Sequence, residues 1–172
     1  MNKKTVYIIV AVLVVVIVVA AAGIFLMNNS GNSGETTPTV SVKDATSLQY
    51  SANVTNTATG TITYNFAGKN LGTSNMTIRV DLLGGELGNY SYILNAGEEK
   101  SWSNTNGGAW TAGNFTADWA SWGTQWTENA NELGNNWSGT GDYSYTASSG
   151  ESITITCIAV NPTLADSLFQ TS

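Results

Sequence analysis

The sequence predicts a mainly β domain of the α+β class, an antiparallel sheet covered by one amphipathic helix, held behind an N-terminal transmembrane helix. Three observations predict it: an uncharged apolar run over Val6–Met27, recurrent apolar/polar alternation between Leu48 and Ala159, and one stretch of helical periodicity from Asn114 to Gly134. A β-sandwich is the alternative arrangement of the same strands.

The run Val6–Met27 holds 22 residues with no charge, no amide and no hydroxyl but the Tyr7 phenol, enough as a helix to cross a hydrocarbon core of roughly 30 Å. Its Val and Ile are poor helix formers in water, yet lipid offers backbone groups no other partner, so a helix is forced there. Lys3 and Lys4 precede the run and the next basic residue is Lys43, so residues 1–5 stay in the cytoplasm and the remainder is extracytoplasmic. Ala20-Ala21-Ala22 resembles a signal-peptide cleavage site, but cleavage would leave Ile24-Phe25-Leu26-Met27 as an apolar end, which favours a retained anchor. No cysteine stands near the span, so lipid attachment through one is excluded.

Residues 28–39 contain no apolar side chain and predict a flexible linker of 12 residues, spanning roughly 19 Å on average. Residues 40–172 then form one domain. With Lys3 and Lys4 set aside from the 6 basic and 12 acidic residues, the part beyond the membrane carries −8, which excludes nucleic acid as a partner. The chain has no histidine and one cysteine, so the usual nucleophile–base pairs and His-bearing metal sites are missing, and neither catalytic residues, metal nor cofactor is expected. The exception would be a carboxylate pair cleaving a glycoside, Glu98 with Asp118 or Asp142, if their separation allowed it.

Leu48, Tyr50, Ala52 and Val54 share one parity against Gln49, Ser51, Asn53 and Thr55, which makes a half-buried strand. Ile62, Tyr64 and Phe66 continue it as a hairpin, and Met76, Ile78, Val80 and Leu82 supply a third inward row. Tyr90, Tyr92 and Leu94 make a fourth strand, and Lys100–Ser103 with Gly108–Thr111 a short pair around Trp102 and Trp110. The sheet is expected to be one-sided. In the helix, Phe115, Trp119, Trp122, Trp126, Ala130 and Leu133 recur at steps of three and four, with Asn114 as cap and Gly134 at the end. Tyr143 and Tyr145 mark a further strand, and Ile153, Ile155, Cys157 and Ala159 a last one, with Cys157 pointing inward as a buried, inert thiol. Pro162 ends that strand, and Leu164, Leu168 and Phe169 clamp a final helical turn onto the domain.

Sequons stand at Asn28, Asn53, Asn75, Asn89, Asn114 and Asn136, and the composition suits a glycosylated surface protein. Asn53, Asn75 and Asn89 fall on the polar parity of their strands, where a glycan would unpack nothing.

Three stretches carry a family likeness: Tyr64-Asn65-Phe66-Ala67-Gly68-Lys69 with Ile78-Arg79-Val80-Asp81; Tyr92-Ile93-Leu94-Asn95 leading to Lys100-Ser101-Trp102 and Trp110; and the closing Ile158-Ala159-Val160-Asn161-Pro162-Thr163-Leu164-Ala165-Asp166-Ser167-Leu168-Phe169. With the order meander, helix, hairpin and tail, the chain resembles the extracytoplasmic lipoprotein-carrier (LolA-like) superfamily. The resemblance implies a curved half-barrel sheet that holds a lipid or other apolar ligand in its concave face. The ligand surface would then be Tyr50, Tyr64, Phe66 and Tyr92 facing Trp119, Trp122 and Trp126. The same tryptophans at helical spacing also read as ordinary core. Trp102, Trp110 and Trp137, set among Ser, Asn and Gly, allow a carbohydrate-stacking platform. The different-class alternative is a structural surface component or a pilin-like filament subunit, although only Thr5 separates Lys4 from Val6 and the small residue that pilin processing uses is missing. Oligomeric state is open.

Overall fold

The computed structural model describes residues 41–56, 60–85 and 88–171. The apolar run Val6–Met27, the linker and Asn28 lie outside the described residues, and among those described no helix is long and apolar enough to cross a membrane. Strands β1 (Ser47–Asn56), β2 (Gly60–Lys69), β3 (Thr77–Gly85), β4 (Gly88–Asn95), β5 (Lys100–Thr105), β6 (Thr111–Ala112), β7 (Tyr143–Thr146) and β8 (Ser152–Val160) form one antiparallel sheet, ordered β6-β5-β4-β3-β2-β1-β8-β7. The β-sandwich alternative is not adopted.

From β1 to β6 the chain meanders, each strand pairing with its sequence neighbour. The exception is β8, which returns across the whole domain to pair with β1, Leu48 opposite Val160 and Val54 opposite Ile153. Between these strands Cys157 and Ile158 together face Tyr50, a β-bulge in which Cys157 takes φ +52°. The bulge inverts the parity of the strand. Ile153 and Ile155 point inward before it, whereas Ile158 and Val160 do so after it, and Cys157 is exposed. The expectation of a buried Cys157 beside an inward Ala159 is therefore wrong: strict alternation cannot foresee an extra residue.

The helix consists of α1 (Phe115–Asp118), a π-helical turn over Trp119–Gly123 and α2 (Thr124–Asn136), continuous in direction. Asn114 caps it as expected, its side-chain oxygen accepting the N–H of Ala117 at 3.1 Å. The π turn is marked by the Thr124 N–H donating to Trp119 O, five residues back. Gly123 makes room inside it, since a Cβ there would stand 2.5 Å from the Trp119 indole. Gly134 does not end the helix. It lies within the last turns, where its missing side chain admits Lys43 of the Val42–Asp44 3-10 turn to within 3.1 Å of the Cβ position.

The helix lies on the inner face of the sheet, and Leu48, Tyr50, Phe66, Ile78, Val80, Leu94, Leu133 and Ile155 between them are almost completely buried. Each such side chain contributes about 1.5–3 kcal/mol by leaving water. The outer face is not bare either. Over β2 to β5 it carries Ala67, Ile93 and the C-terminal Phe169, all buried, so the sheet is two-sided there and not one-sided throughout.

Candidate functional site

On the inner face the aromatic residues proposed to line a cavity touch one another. Tyr50 stacks on Phe66 at 5.1 Å between ring centroids and on Trp126 at 5.5 Å, and Phe66 reaches Trp126 at 6.2 Å. Trp122 sits between Tyr64 at 5.6 Å and Tyr92 at 5.2 Å. Trp119, half-buried at the margin of the core, pairs with Phe115 at 5.4 Å. Gly68 on β2 is part of this fit, because a Cβ there would lie 2.5 Å from the six-membered ring of Trp126. Six of the seven residues thus form one contiguous aromatic layer, which fixes the distance between helix and sheet.

This layer is closely packed, and the phenols of Tyr50 and Tyr64 are buried in it. Burial raises the Tyr64 phenol to about 12 and pushes Tyr50 well above the ordinary tyrosine range, the neighbouring Asn129 amide opposing part of the latter shift. Tyr145 donates to Asn129 Oδ1 at 2.6 Å, which leaves Asn129 Nδ2 buried beside the Tyr50 hydroxyl. On the flank of the layer a groove of about 510 Å³ opens beside Trp126, bounded by Val42, Leu71, Met76 and Ala130 and edged by Lys43.

The outer face has two halves. Over β2, β1, β8 and β7 it presents 11 uncharged Ser, Thr and Asn side chains in three cross-strand rows, Thr61, Thr55, Ser152, Thr146; Thr63, Asn53, Thr154, Ser144; and Asn65, Ser51, Thr156, with Lys69 beyond them at the end of β2. Neighbours in these rows bond one another, Thr63 to Asn53 at 2.6 Å, Ser51 to Asn65 at 2.7 Å, Thr55 with Thr61 at 2.8 Å and Ser144 with Thr154 at 2.9 Å. Strand spacing sets a grid of roughly 4.8 Å by 6.7 Å.

Over β2 to β5 the outer face is crossed by the C-terminal segment. Asn161, at φ +54°, accepts the backbone N–H groups of Thr46 and Ser47 at 2.7 and 3.3 Å and so turns the chain off β8. Lys69 then pairs with Asp166 at 2.7 Å and lies 4.8 Å from the Phe169 ring centre, and Arg79 donates to Leu168 O at 2.8 Å while holding both oxygens of Asp81. Lys69 holds the Asp166 carboxyl below its usual range. Between this strap and the strand ends is a second pocket of about 470 Å³, walled by Trp102 and Phe169. Trp110 approaches the Arg79 guanidinium at 5.7 Å.

Of the proposed stacking platform, then, Trp102 and Trp110 belong to the outer face, but Trp137 packs against the inner core, its indole N–H donating to Gly141 O at 2.9 Å. The carboxylates do not gather. Glu98, bonded to Lys100 at 2.9 Å, lines the outer pocket, Asp118 accepts from the inward Ser101 at 2.6 Å, and Asp142 precedes β7 at the far edge, six strands from β5 and so roughly 29 Å along the sheet. Among the described residues no group of three or more metal-ligating side chains is gathered. Asn75, Asn89, Asn114 and Asn136 are exposed and Asn53 is half-buried within the polar rows. No family model, curated protein or solved structure matches the chain.

Proposed function

We propose that the chain is a membrane-anchored extracytoplasmic surface domain that binds neutral carbohydrate through the outer face of its sheet. The observation that carries this reading is the charge-free grid of 11 hydroxyl and amide side chains on β2, β1, β8 and β7, held in register by side-chain hydrogen bonds and continuous with the face that bears Trp102 and Trp110. Side chains locked to their neighbours lose little further entropy on meeting a ligand that repeats its own hydroxyls. A neutral partner asks nothing of charge, in keeping with a chain only 10% charged. The anchor Val6–Met27 and the linker hold this face within a few tens of ångströms of the membrane. No catalytic role enters the proposal.

The test is sedimentation of the full chain, reconstituted in nanodiscs, with insoluble glucan, mannan and chitin. Binding should disappear on Thr154→Lys while the circular dichroism spectrum shows the fold retained; retained binding by that variant sinks the reading. Should full-length material instead form fibres in electron micrographs, the filament alternative gains.

A second reading, an apolar or lipid ligand, is favoured by the groove of about 510 Å³ beside Trp126. We read the sheet as a half-barrel around the helix, in which the aromatic layer occupies the concave side and an acyl chain would enter only from this flank. Lipid co-purifying in native mass spectra, and lost on Ala130→Trp, would support it. A lipid-free protein would end it.

A further inference from the structure

We infer that the pocket between the C-terminal strap and the ends of β2 to β5 is the subsite that takes one neutral pyranose unit of the glycan, stacked on Trp102; this rests on the carbohydrate reading above. The pocket, about 470 Å³, falls within the size range of small-molecule sites and is continuous with the outer face. Its walls are of two kinds. Trp102 and Phe169 supply flat apolar surface, and Ile93, almost wholly buried, makes the floor. Thr77, Asn95 and Gln170 supply neutral hydrogen-bonding groups around them. A pyranose has the matching character, with axial C–H bonds that lie on an aromatic face and equatorial hydroxyls that point to the rim.

Charge decides against an ionic ligand. Both ionised side chains at the rim are already matched, Lys69 by Asp166 at 2.7 Å and Glu98 by Lys100 at 2.9 Å, so an acidic or amino sugar would displace a partner to find one. The pocket exists only while the strap is in place, since Phe169, Gln170 and Thr171 come from it and Lys69 and Arg79 secure it on the sheet. Binding of the sugar should therefore tighten the tail.

The test is titration of the full chain in nanodiscs with cellohexaose, mannohexaose and chitohexaose, with hexa-galacturonate as the acidic probe, read by indole fluorescence and by saturation-transfer contact at the sugar. Trp102→Ala should weaken binding of the recognised oligomer at least tenfold and Trp102→Phe should restore most of it. Gln170→Trp, which blocks the mouth from an exposed position without altering the sheet, should weaken it likewise. If the wild type binds an oligomer and neither Trp102→Ala nor Gln170→Trp changes that, the subsite is overturned and the broader reading survives. If the acidic probe is preferred, the neutral-sugar assignment fails. If the wild type binds none of the oligomers and no insoluble glycan, both fall together.

Discussion

The two faces of the sheet use the same strands for opposite purposes. The inner face is aromatic and interlocked, so that Tyr50, Phe66 and Trp126 set the spacing of helix and sheet. The outer face, over β2, β1, β8 and β7, carries three neutral rows of exposed and half-buried Ser, Thr and Asn side chains that bond to one another. The difference teaches where each property resides: apolar packing is concentrated on the inner face, and neutral hydrogen-bonding groups on the outer one.

The comparison can be broken first at its heaviest point. Trp126→Ala on the inner face should cost about 3–5 kcal/mol, read by chemical denaturation, because a large ring leaves a cavity among buried neighbours. A loss below 1 kcal/mol would mean that the layer is loose and a cavity reading should return. Next, Gly68→Ala should cost about 1–3 kcal/mol by driving a methyl group into the Trp126 ring. Alkali should act on the same side. A phenol raised by folding contributes fully below its unfolded value near 10 and loses that contribution as pH climbs through the folded value, so stability should be level to about pH 10 and fall towards pH 12 with Tyr64. Tyr64→Phe should lessen that decline, with Tyr50 and Tyr145 supplying the rest; an unchanged profile would count against burial of the Tyr64 phenol. On the outer face Thr154→Lys should move stability by no more than about 0.5 kcal/mol. Smallest of all, native protein should react at Cys157 with a thiol reagent at nearly the unfolded rate, since the side chain is exposed; protection would restore the buried assignment.

Much of this arrangement is legible from the residues. The parity of Leu48–Val54, Ile62–Phe66 and Ile78–Leu82 identifies the inner rows because each strand is half-buried, and Asn114 with the Trp119, Trp122, Trp126 spacing locates the helix. Three things escape. The bulge at Cys157 inserts one residue into an otherwise regular strand and leaves no periodic trace. The π turn and the internal Gly134 depend on what the indole of Trp119 and the stem of Lys43 do in three dimensions. The pairing of β8 with β1 joins segments about a hundred residues apart, which no local pattern encodes. For the site, the aromatic residues are easy to find, but whether they face a space or one another is a matter of inter-ring distance. The hydroxyl grid is hidden because Ser and Thr alternating with apolar residues look like any wetted strand until the register aligns them across four strands.

The return of β8 onto β1 bears on how the domain is made. β1 emerges early in synthesis and has its hairpin partner β2 at once, but its other edge waits for nearly the whole domain before β8 arrives. Until then a row of backbone donors and acceptors stands open beside the apolar residues that will become the core. The neutral Ser51, Asn53 and Thr55 of β1 keep the waiting strand soluble without supplying charge. The order of strands in the sheet thus makes the arrival of β8 the step that ends its exposure to misassembly.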